Sequence, residues 1–165
     1  MIKLNKSSKN LARAGIIGAI YLATTLLLYP ISFGGMQIRV AEGLTLLPIL
    51  FPESIIGLTV ACMVANFFGN GILDVIFGTL ATLIASILTY LTTKKIKNDY
   101  LKIAVGGIFP IILNALIVPF TFLAVTSLKE LYLISAIQIF IGQFIAVYLF
   151  GSPVYFVSKK ILNKK

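Results

Sequence analysis

Glu42 and Asp74 carry the most chemical potential in this chain, because nearly everything around them is apolar. They fall in residues 36–82, which hold three of the five acidic residues (Glu42, Glu53 and Asp74) together with Gln37, Arg39, Asn66 and Asn70. An ionisable side chain within or beside a membrane span is costly to keep, so each marks a candidate functional site. Asn114 and Gln138 add two amides inside later apolar runs. Carboxylates accept hydrogen bonds and amides both donate and accept, so the set suits the reading of a small polar ligand. Catalysis fits less well. Histidine is absent and Cys62 is the single cysteine, which removes the commonest general base and metal ligand and any multi-cysteine metal site. In the middle of an apolar run Cys62 reads as a small packing residue. The GxxxxGK[ST] phosphate loop, the HExxH zinc motif and the GxSxG nucleophile elbow are all missing.

The elements that must position these groups are transmembrane helices. The chain is 59% hydrophobic and 12% charged, where a soluble domain carries about a quarter charged residues. A spanning helix needs about 20 apolar residues. Residues 11–29, 71–92, 103–125 and 131–157 meet that length, with Pro110 and Pro119 expected to bend the third. Residues 38–68 are too long for one straight span and carry Pro48 and Pro52 at their centre, so they read as two short spans, 40–50 and 54–68. Charge settles the count. Cytoplasmic loops are enriched in Lys and Arg, and six spans put 12 of the 14 basic residues on one side, leaving only Arg39 and Lys129 opposite. The expected fold is therefore an all-α integral membrane protein, one transmembrane domain over residues 1–165. It has six transmembrane helices, short second and third spans, and both termini cytoplasmic. The basic start before the first apolar run is reminiscent of a signal peptide. No small-residue cleavage site ends that run, so an uncleaved span is expected. The terminal lysines read as topology signals and lipid-headgroup contacts, not as a nucleic-acid surface.

This topology gives each polar residue a depth. Gln37, Arg39 and Glu42 fall at the outer start of the second span, and Asn66 and Asn70 at the outer end of the third. Asp74 lies one turn into the fourth, Asn114 near the middle of the fifth, and Gln138 two turns into the sixth. Groups from separate spans in the outer half imply a polar cavity open to the outside and sealed inward by aliphatic side chains. Blander roles stand beside this reading: Arg39 as a helix anchor or as a bridge to Glu42 and Asp74, and Asn66 and Asn70 as turn residues beside glycine. In the first span, Gly15, Ala19 and Ala23 recur every four residues, as do Ala14 and Gly18. Such small-residue faces let another helix approach closely, whether inside the same bundle or from a partner.

The motifs resemble a known family. Gln-Ile-Arg-Val-Ala-Glu at residues 37–42 and Leu-Pro at 47–48 carry the likeness, with Gly-Leu at 57–58, Cys62 and Ala65–Asn66. Asp-Val-Ile-Phe-Gly-Thr-Leu-Ala-Thr at 74–82 completes it. Together they resemble the QueT family of substrate-binding (S) components of energy-coupling factor (ECF) transporters. The resemblance implies capture of a queuosine precursor, a deazaguanine such as prequeuosine base or queuine, at the plasma membrane of a prokaryote. It implies partners too: a membrane coupling subunit, docked on the face that includes Ala14, Gly15, Gly18, Ala19 and Ala23, and two ATPase subunits. Those partners hydrolyse ATP, and no cofactor of the chain's own is implied. The expected ligand site is Gln37, Arg39, Glu42, Asn66, Asp74, Asn114 and Gln138. A stacking aromatic is expected among Phe33, Phe67, Phe68 and Tyr132. The alternatives are an S component for another vitamin or purine-like solute, and a structural membrane subunit that binds no ligand.

Overall fold

Lipid offers no partner to a backbone N–H or C=O, so an apolar chain must satisfy its own backbone, and every described element is helical. The computed structural model describes residues 5–34, 37–69, 71–121 and 129–164, with the side chains of residues 129 and 130 excepted. The elements are α1 (Lys6–Leu27), α2 (Tyr29–Ser32), a 3₁₀ helix (Val40–Ile49), α3 (Ser54–Gly69), α4 (Ile72–Thr93) and α5 (Asp99–Ile117). Then come α6 (Lys129–Phe144), a π-helical turn (Ile145–Phe150) and α7 (Gly151–Leu162). Four stretches are long and apolar enough to cross a membrane: α1, α4, α5 and the continuous run Leu131–Leu162. Val40–Ile49 and α3 are shorter apolar helices. Asn70 and the expected end of the fifth span lie outside the described residues.

The expected second span is a 3₁₀ helix rather than an α-helix. Runs of this tighter coil longer than three or four residues are uncommon, and each residue rises about 2.0 Å, so ten residues cover roughly 20 Å. Its residues 41–48 are all buried, because α1, α3, α4, α5, α7 and the π turn pack around it. Small residues allow this. A Cβ added to Gly43 would come within 2.8 Å of the Gly151 amide nitrogen and 2.9 Å of the Ala146 carbonyl oxygen.

Proline is handled inside the bundle. Pro110 lies within α5 and has no N–H to give the carbonyl four residues earlier. That carbonyl, on Gly106, accepts instead from the Thr89 hydroxyl of α4 at 2.8 Å. Asn98 caps the start of α5, its side chain accepting from the Leu101 amide at 3.2 Å. In the last span a π turn, Ile145–Phe150, immediately precedes Gly151 and Pro153.

Side-chain pairs gather the helix ends into two sets. Arg13 pairs with Glu53 and lies 4.6 Å above the Phe51 ring. Asp99 pairs with Lys159 and accepts from the Tyr155 hydroxyl at 3.0 Å. Ile49 and Leu50 pack with Ile103 and Tyr155, so both ion pairs belong to one end of the bundle. At the other end the Tyr29 hydroxyl donates to the Gly69 carbonyl at 3.2 Å, and the Phe33 ring lies against Gly69. The 3₁₀ helix leads from the second end to the first.

Candidate functional site

Arg39 is the hub. It sits just before the 3₁₀ helix, 2% exposed, where a cation is tolerable only if paired and hydrogen-bonded. Its Nε donates to the Ser32 carbonyl at 3.4 Å and its Nη2 to Gln37 Oε1 at 3.3 Å. Nη2 is also 3.8 Å from Asp74 Oδ2, and the guanidinium lies 4.9 Å above the Phe33 ring. Gln37 reaches its position with φ 42°, the one described non-glycine residue at positive φ. Such strained backbone persists only where its surroundings hold it.

Glu42 follows in the first turn of the 3₁₀ helix and is wholly buried. Its Oε1 accepts from the Tyr21 hydroxyl of α1 at 2.5 Å, while Oε2 has no hydrogen-bond partner. The Thr45 hydroxyl holds the Glu42 carbonyl at 2.6 Å. Arg39 feels the charge of Glu42 as well as that of Asp74. One buried cation thus faces two carboxylates.

A second chain of contacts ties α3 to α4. Cys62 Sγ lies 3.2 Å from the Thr82 hydroxyl and 3.7 Å from the Gly78 carbonyl. Asn66 Nδ2 donates to Cys62 Sγ at 3.3 Å and to the Asp74 carbonyl at 3.0 Å. Its Oδ1 is buried without a partner. Cys62 is therefore more than the packing residue expected: it carries the polar network between Asn66 and Thr82.

The structure brings Gln37, Arg39, Glu42, Asn66 and Asp74 into this network, each 4% exposed or less. Neither of the two grooves described on the bundle surface is lined by these residues. Asn114 is also buried, its Nδ2 turned back to the Pro110 carbonyl of its own helix at 2.8 Å. Gln138 is half-buried. Of the four aromatic candidates, Phe33 lies against Arg39, whereas Phe67 and Phe68 are exposed and pair with each other. Tyr132 packs on Phe120 and donates to the Leu116 carbonyl. Sequence reasoning passed over Tyr21, Thr82 and Gln143, which is buried with Oε1 unpartnered. A tyrosine four residues before Thr25 on one helix stripe was the available signal for the first. Among the described residues no group of three or more His, Cys, Asp or Glu could hold a metal.

The small-residue face of α1 divides. Ala14 and Gly18 are buried against α3, and a Cβ on Gly18 would fall 2.7 Å from the Gly57 carbonyl oxygen. Gly15, Ala19 and Ala23 stay exposed. An apolar groove of about 430 Å³ runs along this side, lined by residues of α1 and α3 that include Gly15, Ala19, Gly57 and Val60.

A curated relative from Lactococcus lactis subsp. cremoris, named Queuosine precursor transporter QueT, is 35% identical over 99 residues, 58% of this chain and 59% of the relative. The chain thus spans about three fifths of that relative's length. No solved structure matches it significantly. The family model described as QueT transporter matches residues 11–160, nearly the whole chain, and the chain belongs to the QueT transporter family.

Proposed function

We propose that this chain is the substrate-capture component of an ECF-type importer and binds a queuosine precursor, a deazaguanine such as prequeuosine base or queuine. The observation that carries the reading is the pair of buried acceptors left without partners, Glu42 Oε2 and Asn66 Oδ1, within one network. An unsatisfied buried polar atom costs about 1–3 kcal/mol, which a ligand offering N–H donors recovers. A guanine-like base offers a ring N–H beside an exocyclic amine, and an aminomethyl cation suits a cluster with more carboxylates than cations. Arg39, held by Ser32, Gln37 and Asp74, fixes the backbone from which Glu42 projects. The printed name of the Lactococcus relative supports the same substrate class.

In this reading the chain crosses a prokaryotic plasma membrane six times, with both termini in the cytoplasm. The 3₁₀ helix and α3 are the two short crossings. The gathering of Arg13, Glu53, Asp99 and Lys159 at one end of the bundle supports it. The chain itself catalyses no reaction. A membrane coupling subunit docks along the exposed Gly15, Ala19 and Ala23 face, and two ATPase subunits hydrolyse ATP. The test is calorimetric binding of prequeuosine base to the purified protein in detergent. Glu42→Gln and Asp74→Asn are each expected to weaken it about tenfold or more, the worth of one charge-assisted hydrogen bond. Parent-like affinity in both variants refutes this site.

A further inference from the structure

Gln143 is the largest buried amide outside the network around Arg39. It is 2% exposed, and its Oε1 meets no hydrogen-bond donor. A neutral amide with no partner in an apolar interior is costly and is replaced by leucine without loss unless something binds it. Its neighbours show where it sits. Four residues before it, Ile139 packs with Ala115 of α5 and with Val118 at the end of that helix. Four residues after it, Val147 packs with Leu46 of the 3₁₀ helix and Ile111 of α5. Residues four apart share a helix face, so Gln143 faces inward between these two contacts. Asn114 stands at the same level of α5, between Ile111 and Ala115, and is likewise buried. One turn further on, the Ala146 carbonyl lies against Gly43, the residue after Glu42. The π turn begins two residues after Gln143, and such turns inside longer helices are frequent at functional sites.

We infer that Gln143 is a ligand-reading residue of the site. Its amide pairs with an edge of the bound heterocycle that presents a donor beside an acceptor, while Glu42 and Asn66 take the donor-only edge. This rests on the function proposed above. It also changes the site contributed by the last span, since Gln138 lies about 140° around the helix from Gln143 at 100° per residue. An amide matches a mixed donor and acceptor edge because it carries both groups side by side.

The experiment compares the parent with Gln143→Leu and Gln138→Leu in detergent, by calorimetric titration with prequeuosine base and by thermal melting without it. The expected result for Gln143→Leu is affinity about 10- to 100-fold weaker, with a melting temperature equal to or above the parent's. Gln138→Leu is expected to bind like the parent. Parent-like affinity in Gln143→Leu overturns the inference and leaves the proposed function standing. So does a melting temperature below the parent's, which would make the amide structural. A parent that binds no prequeuosine base overturns both.

Discussion

Replacing Tyr21 by phenylalanine removes one oxygen atom and takes the hydrogen-bond donor from a buried carboxylate. The Tyr21 hydroxyl is the single hydrogen-bond donor to the Glu42 side chain among the described residues, at 2.5 Å from Oε1, with Oε2 already unpartnered. A hydrogen bond to a charged group contributes about 1.5–3 kcal/mol. In a domain of this size each kcal/mol shifts the melting temperature by about 2–4 °C, so Tyr21→Phe is expected to melt about 3–12 °C lower in detergent. The ring fills the same space, so the loss is not one of packing. The decisive measurement is a double-mutant cycle with Glu42→Leu. Removing both partners takes away the carboxylate left without a donor, so Tyr21→Phe/Glu42→Leu is expected to regain most of what Tyr21→Phe alone loses. Coupling above about 1 kcal/mol is the expected result, since contacting residues couple and distant ones add to within about 0.5 kcal/mol. Additive single changes, or a Tyr21→Phe protein that melts with the parent, would refute the claim that this tyrosine holds Glu42 in place.

Adjacent positions on α1 have opposite consequences: Gly18→Val collides with the Gly57 backbone and is expected to cost about 1–3 kcal/mol of stability. Ala19→Trp, on the exposed face, is expected to leave melting and ligand binding unchanged but to prevent co-purification with the proposed coupling subunit and ATPases. Capture of the Ala19→Trp protein at parental yield would remove this face from the docking surface. The six-crossing topology is tested by single cysteines at Lys97 and Asn163 in a Cys62→Ala background, labelled with a membrane-impermeant maleimide. Both are expected to react only from the cytoplasmic side, and labelling of either from outside refutes the topology.

The sequence by itself determined the class of protein and which charged residues the fold would have to bury. Lipid forces each crossing to satisfy its own backbone, so the long apolar runs of α1, α4, α5 and Leu131–Leu162 could be read as helices before any coordinates. The cost of charge in an apolar chain likewise singled out Arg39, Glu42 and Asp74, all of which the fold buries together. What hydropathy does not encode is which partner a side chain finds across the bundle. Only the tertiary structure decided that Tyr21 bonds Glu42, that Thr89 relieves the carbonyl left by Pro110, and that Cys62 links Asn66 to Thr82. It also decided between neighbours of similar type. Gly18 turns inward while Ala19 stays outside, and Gln143 is buried while Gln138 is half-exposed. Sequence marks such residues as small or polar, but their azimuth is set by the helices packed against them. The 3₁₀ form of Val40–Ile49 is likewise a tertiary matter: six elements close around it.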